Sequence, residues 1–371
     1  MSTARILYHY SSQQFDTGSP KALVAMIGLL DRARFEPVYL ATGDGPLIDA
    51  LAAQNVRIVR GEVTSVTYRH PLAALGKALR QARLLRRLEI NLLHMNEFGW
   101  NQDLVLGAWL RGIPVVLHLH NPASIAFQNL HRFAASKVLT VSEAAKGTVT
   151  NLHRIRHKCE VLYNSVDLGH MGCGRPIRES LGLTSQDIVI GTIGQISYRK
   201  GIDVVLETAR ILLPRWQRLR FLVVGPKGIG EESFADEMMQ RAKEPGFAGR
   251  VHFLGSRFDI PDLLASMDIF FLPTRAEPFG IVIIEAMAAG VPVVASRVGG
   301  IPEIIKSDEN GRVVDPILPE AFASAISEIL QMPDGGRSMG ERGCRSLLGR
   351  FDSGAVRERL RGIYDQLLGR T

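Results

Sequence analysis

The stretch "DIVIGTIGQISYRKGIDVVLETA" occupies residues 187–209. It opens with a short apolar run rich in β-branched residues, as expected of a strand buried on both faces. The run ends at Gly194 and a basic turn follows. A helical pattern opens at Gly201 and continues to 213. A strand that feeds a helix through a short turn is the first half of a βαβ unit. The same alternation runs on through "LRFLVVG", a helix over 231–243, "RVHFLG", a helix over 260–266, "DIFFLPT", the helical "IVIIEAMAAG" and "VPVVAS". It also runs upstream, from "RILYHY" through "EPVYLA", "VRIVRG", a long helix over 71–88, "INLLHMN", a helix over 102–111 and "PVVLHLHN". One alternation that runs twice predicts two doubly wound α/β domains. The seam falls in the Gly- and turn-rich "LYNSVDLGHMGCGRP" (162–176). The expected division is residues 1–167, residues 168–350 and a closing amphipathic helix over 351–371. In that helix Val356, Leu360, Ile363, Tyr364 and Leu367 recur at helical spacing. It is expected to pack back on the N-terminal domain. Ligands of such sheets gather at the carboxyl ends of the strands, so a cleft between the domains is the expected site.

Length and composition agree with this reading. A chain of 371 residues, 46% of them hydrophobic, can fill two cores. No apolar run reaches the roughly 18–20 residues that span a bilayer, and the first ten residues lack a signal-peptide layout. Cys159, Cys173 and Cys344 share no metal-ligand spacing, which suggests a reduced cytoplasmic setting. Charge is unevenly spread. Residues 1–165 hold 19 Lys and Arg against 11 Asp and Glu, whereas the remainder holds 25 against 26. A basic half attracts phosphates, nucleic acid or anionic lipid, or is a solvated face with an ordinary surplus. Arg80, Arg83, Arg86 and Arg87 follow Leu72, Leu75 and Leu79 along the helix over 71–88. That pattern fits a helix meeting anionic lipid, or a surface helix with snorkelling arginines.

In "EPFGIVIIEA" (277–286), Glu277 and Glu285 bracket a greasy run. Pro273 ends the preceding strand, and Gly280 lets backbone approach a ligand closely. The amides of Phe279, Gly280, Ile281 and Val282 then stand at a helix N-terminus, where an anion or a polyol binds. Read alone, the two acids admit two roles. They hold one ligand, or Glu277 favours the helix dipole while Glu285 is solvated.

The segment "EPFGIVIIEAMAAGVPVVASRVGGIPEII" (277–305), together with "GQISYRKGIDVVLETA" (194–209), resembles the donor half of the retaining glycosyltransferases of family four. "PVVLHLHN", "LTVSEAA" and "LYNSVD" extend the resemblance over nearly the whole chain. The resemblance implies the GT-B fold, two facing Rossmann-like domains with a nucleotide-sugar between them. It implies that Glu277 holds hydroxyls of the donor sugar and Glu285 those of the ribose. Lys200 matches the lysine that faces the diphosphate. Gln195 stands where the family carries arginine, and Arg199 is the expected substitute. Gly18, in "FDTGSPKAL", sits at the family's glycine-rich loop beside the donor phosphates. His120 sits at its strand-end histidine near the sugar and phosphates. His118 is expected in the core, and His94 is expected to face the acceptor. A leaving nucleoside diphosphate gathers negative charge that fixed cations stabilise.

The expected activity is therefore retaining transfer of a sugar from a nucleotide-diphosphate donor to the hydroxyl of a sugar, a lipid-linked or another acceptor. Catalysis would rest on His120, Lys200 and Glu277, with no enzyme nucleophile. In the family, the leaving phosphate helps to deprotonate the acceptor. No Asp-x-Asp occurs, so neither a metal nor another cofactor is expected. Nucleic acid is not an expected partner, and peripheral contact with an anionic membrane is one of the two readings of the basic helix. Rival readings are another GT-B enzyme, such as a sugar phosphorylase or nucleotide-sugar epimerase, a dinucleotide-dependent oxidoreductase, and a silent sugar-binding protein. The glycines of "VVGPKGIG" (223–230) have the wrong spacing for the oxidoreductase.

Overall fold

A computed structural model describes residues 3–15, 17–66, 70–96, 102–121, 134–149, 155–247, 249–306 and 308–370. Asp16, in the stretch "FDTGSPKAL" quoted above, lies outside the described residues. The chain divides into two compact units. One comprises Met1–Ser165 with Gly354–Thr371, and the other comprises Val166–Ser353.

The N-terminal unit is built on seven parallel strands. They are β1 (Ala4–His9), β2 (Phe35–Ala41), β3 (Arg57–Arg60), β4 (Leu92–Asn96), β5 (Val115–Leu119), β6 (Lys137–Thr140) and β7 (Cys159–Val161), in the order β3-β2-β1-β4-β5-β6-β7. The chain winds outward from β1 in one direction and then restarts at β4 in the other, leaving a topological switch point between them. Helices cover both faces of the sheet. The apolar residues of β1, β4 and β5 are buried, as two-sided coverage requires.

The C-terminal unit repeats the plan with six parallel strands. These are β8 (Ile188–Ile193), β9 (Leu219–Val224), β10 (Val251–Gly255), β11 (Ile269–Leu272), β12 (Val293–Ser296) and β13 (Arg312–Val314), ordered β10-β9-β8-β11-β12-β13. Here the switch point lies between β8 and β11. The stretch 187–209 resolves into β8, a loop and the helix Ile202–Leu212. That helix buries Val204, Val205, Thr208, Ala209 and Leu212 on the sheet and leaves Arg210 outside.

The closing helix, Ser353–Leu367, belongs to the N-terminal unit. Val356, Leu360, Ile363 and Tyr364 are buried with Tyr8, Leu23 and Phe35 in one core. Burying each such side chain contributes about 1.5–3 kcal/mol. Tyr364 meets Phe35 edge to face at 5.6 Å, and Arg34 pairs with Asp365 at 2.8 Å. No helix among the described residues is long and apolar enough to cross a membrane.

Candidate active site

The loops that leave β8 and β11 stand side by side at the switch point of the C-terminal unit. Both are shaped by glycine. Gly201, left-handed at φ +72°, caps the helix Ile202–Leu212, and a Cβ there would lie 2.0 Å from the Pro273 carbonyl oxygen. The two loops therefore touch where only hydrogen fits. The Arg275 amide donates to the Arg199 carbonyl at 2.8 Å, and the Thr274 hydroxyl donates to the same oxygen at 3.0 Å. Behind them, the Gly300 amide donates to the Glu277 carbonyl at 3.0 Å. A Cβ on Gly299 would fall 1.9 Å from that oxygen. The turn after β12 thus braces the backbone of Glu277. Sequence reasoning quoted "VGG" without giving it this role.

The outcome is a direct contact between two candidate side chains. Lys200 Nζ lies 2.6 Å from Glu277 Oε2, with only 12% and 11% of the two side chains exposed. The stem of Lys200 runs past Gly194, where a Cβ would stand 3.4 Å from its Cε. Three residues past Glu277, Gly280 turns left-handed at φ +110° and caps the helix Ile281–Ala288. Its sequence is β-branched and almost wholly apolar, a poor helix former in water, so packing holds it. Ile283, Ile284, Ala286 and Met287 are buried, while Ile281, Val282 and Glu285 are half-buried. The first amides of this helix precede any intrahelical acceptor.

Other expected residues are placed with more nuance. Phe279 turns its side chain into the core, 2% exposed, with its ring 5.7 Å from that of Phe351. Gln195 is half-buried in the β8 loop. Arg199 is exposed and donates from Nη1 to the Ala276 carbonyl at 3.2 Å, one residue before Glu277. A second arginine, not anticipated, lies close by. Arg275 makes a two-pronged pair with Asp203 at 2.8 and 2.7 Å, and its guanidinium stacks 3.8 Å over Tyr198. It stiffens the β8 loop, a role with no local sequence signal.

In the N-terminal unit Gly18 is exposed and begins the helix Gly18–Gly28, which follows β1. His120 stands just past β5 and is buried. Its Nε2 lies 2.8 Å from Asn96 Oδ1, and its ring sits 4.3 Å from that of His118. The expectation for His94 is corrected. It is fully buried, with Nδ1 2.7 Å from the Tyr364 hydroxyl and Nε2 3.3 Å from His118 Nδ1, so it presents nothing to an acceptor. The Tyr364 hydroxyl in turn lies 2.9 Å from that of Tyr8. Burial and the neighbouring His120 push His94 down to about 3. Burial pushes His120 down to about 4, and burial with its two histidine neighbours holds His118 well below the usual range.

These histidines fold in the neutral form and take up protons only on unfolding. Below about pH 6.5 the unfolded chain binds more protons, so stability must fall as pH falls. At pH 5 His94 alone is expected to account for a loss of about 2 kcal/mol. Urea unfolding followed at pH 7.5 and pH 5 checks this. A midpoint unchanged between the two would contradict the neutral assignment.

Comparison with known proteins completes the description. The sequence model of the family described as Glycosyl transferases group 1 matches residues 175–345, and that of Glycosyltransferase Family 4 matches residues 18–170. An uncharacterized glycosyltransferase of Methanocaldococcus jannaschii is 31% identical over 214 residues, 55% of this chain and 53% of its own length. A D-inositol 3-phosphate glycosyltransferase of Rhodococcus opacus is 30% identical over 275 residues, 66% of this chain and 60% of its own length. The chain thus spans little more than half the length of these curated relatives. A crystal structure from Anabaena, solved in complex with UDP and glucose, superposes with a TM-score of 0.81. It is 24% identical and covers 97% of this chain and 99% of its own. That likeness shows the fold to be the two-domain, Rossmann-like GT-B fold.

Proposed function

Since the chain belongs to the group 1 glycosyltransferases, we propose that it moves a sugar, with retention, from a nucleotide-diphosphate donor to an acceptor hydroxyl. The observation that carries this reading is the Lys200–Glu277 pair, held at the switch point beside the N-terminus of the helix Ile281–Ala288. An ammonium has three donors. One meets Glu277, and the others can meet oxygens of a leaving diphosphate. The first amides of the helix supply further donors for the same anion. Charge that develops on the leaving group then finds its counter-charge in place, so little reorganisation accompanies bond cleavage.

Glu277 is positioned to accept from hydroxyls of the transferred sugar while it keeps Lys200 in place. Glu285, in the second turn of the helix Ile281–Ala288, takes the ribose hydroxyls. The Anabaena structure holds UDP and glucose, so UDP-glucose is the first donor to try on this chain. Metal independence is part of the proposal, with Lys200, Arg199 and the helix N-terminus in the place of an ion. Glu277→Gln is expected to blur discrimination between donor sugars and leave affinity for the free nucleoside diphosphate nearly unchanged. Glu285→Gln should weaken donor and free nucleotide alike, by about 2- to 12-fold for one hydrogen bond. Titration calorimetry with the nucleoside diphosphate separates the two. Equal affinity in wild type and Glu285→Gln would remove the ribose assignment.

The acceptor is proposed to be anionic or presented at an anionic membrane. Leu72, Leu75 and Leu79 are exposed on the helix Pro71–Arg87, and the same solvent-facing stripe continues into Arg83 and Arg86. Leucines entering a bilayer surface beside arginines on its headgroups would recruit the enzyme reversibly, each arginine contributing about 1 kcal/mol. Sedimentation with vesicles tests this. Binding to anionic vesicles should exceed binding to neutral ones, fall with salt, and drop in an Arg83→Ser, Arg86→Ser, Arg87→Ser variant. Indifference to lipid charge would make this helix an ordinary solvated face.

A further inference from the structure

We propose that Asn96 is a positioning residue: it fixes the His120 imidazole in the tautomer protonated at Nε2 and ties it to the helix turn that carries Gly18. The inference rests on the proposed glycosyl transfer, with His120 taken to lie at the donor sugar as the family resemblance implies. It deepens that reading by naming the ligand atom His120 can accept.

Asn96 is the last residue of β4 and is fully buried. Its Nδ2 lies 3.3 Å from the carbonyl oxygen of Ser19, the residue after Gly18 in the first turn of the helix Gly18–Gly28. Its Oδ1 lies 2.8 Å from His120 Nε2. The proton assignment follows step by step. The Ser19 carbonyl only accepts, so the amide must turn its NH2 group towards it. The reversed amide would set two oxygens against each other in a buried place, at the cost of a desolvated, unpaired acceptor. With the NH2 group committed to Ser19, only the amide oxygen faces His120. An oxygen accepts, so Nε2 must carry the hydrogen, and Nδ1 of the neutral ring must carry the lone pair.

A neutral imidazole otherwise chooses between two tautomers by small differences in surroundings. Here one buried amide decides. The neighbouring histidines do not compete for Nε2. His118, opposite Asn96 in the β4–β5 register, sits against the His120 ring with its Nδ1 3.3 Å from His94 Nε2. His94 is engaged with Tyr364, which meets Tyr8.

The consequence concerns recognition. A ring whose Nε2–H is spent on Asn96 can only accept at Nδ1. It fits a hydroxyl hydrogen of a sugar and repels an unprotonated phosphate oxygen. His120 therefore reads the sugar and not the diphosphate, and Asn96 makes it do so. The amide also ties the strand end that carries His120 to the turn that carries Gly18, through Ser19.

The test reads the tautomer directly. The full chain, labelled with 15N-histidine, is examined at neutral pH without any donor by long-range proton–nitrogen correlation. The His120 signals are identified by their loss in His120→Gln. The expected spectrum shows a protonated Nε2 and an unprotonated Nδ1. In Asn96→Leu, similar in shape but without polar atoms, the two nitrogens should move towards each other as the tautomers mix. In Asn96→Asp, which keeps the acceptor, Nε2 should stay protonated. With an active donor in hand, Asn96→Leu should lower kcat by about three- to tenfold, as expected for one neutral hydrogen bond, and Asn96→Asp should recover part of it. A wild-type ring protonated at Nδ1, or a tautomer unchanged in Asn96→Leu, overturns the proposal. If Asn96→Leu fails to fold, the wild-type and Asn96→Asp spectra still decide it. Absence of any glycosyl transfer would defeat the functional reading alone, because the tautomer is read without turnover.

Discussion

Lys200→Ala is expected to lower turnover by about 10- to 150-fold, the worth of one hydrogen bond to a charged group. The loss should appear more in kcat than in donor affinity. The ammonium meets little extra charge in the bound donor and much more as the glycosidic bond breaks. Stability will fall too, because the substitution leaves Glu277 as a largely buried carboxylate 2.6 Å from the vacated position. The two effects separate in a double variant. Lys200→Ala with Glu277→Gln removes the orphaned charge, so it should regain stability over Lys200→Ala alone and regain no turnover. Thermal unfolding and steady-state kinetics on the same samples check both halves. Restored turnover in the double variant would mean that Lys200 only neutralises Glu277.

Gly201→Ala is expected to damage both the stability and the site of the C-terminal unit. The left-handed conformation at φ +72° costs an L-residue about 1–2 kcal/mol. The new Cβ would also lie 2.0 Å from the Pro273 carbonyl oxygen, which belongs to the backbone and cannot swing aside. Relieving such overpacking costs about a further 1–3 kcal/mol. Pushing the β11 loop away would carry Glu277 off Lys200, since both stand on the loops that this glycine lets touch. Activity should therefore fall along with stability. Gly182→Ala is the control, as it is left-handed at φ +71° with open space around its Cβ position. It should show the conformational cost without the collision. A Gly201→Ala enzyme as stable as Gly182→Ala would show that the loops are not in tight contact.

Much of this architecture was legible from the chain. The β-branched run 188–193 reads as a strand, and the helix expected over 201–213 forms at Ile202–Leu212. The helix expected over 71–88 forms at Pro71–Arg87, and the amphipathic spacing at the end of the chain yields a helix on the N-terminal core. These features are local or periodic, and periodicity is visible in one dimension. Short elements were harder. β6 and β7, of four and three residues, carry too little pattern to stand out. At the site, the residue types and the positions of Lys200 and Glu277 were legible, but their mutual contact was not. It joins residues 77 apart through the packing of two loops. The brace from Gly299–Gly300, the clamp of Arg275 on Asp203 and the amide of Asn96 are contacts of the same long-range kind. His94 misleads for the opposite reason. It occupies a suggestive position at a strand end, and only the fold reveals that its side chain is turned into the core.

Lys200, beside Glu277, is proposed to clamp the diphosphate of a nucleotide-sugar without a metal. This clamp is tested most directly by thermal unfolding of wild type and Lys200→Ala with a panel of nucleoside diphosphates and their sugars, in excess chelator. A ligand present at 100 times its dissociation constant adds about 2.7 kcal/mol to the folded state. One nucleotide series should raise the wild-type unfolding temperature clearly, and the same ligands should raise that of Lys200→Ala much less. The account is contradicted if no member of the panel stabilises the wild-type protein until a divalent metal is added, or if Lys200→Ala is stabilised to the same extent.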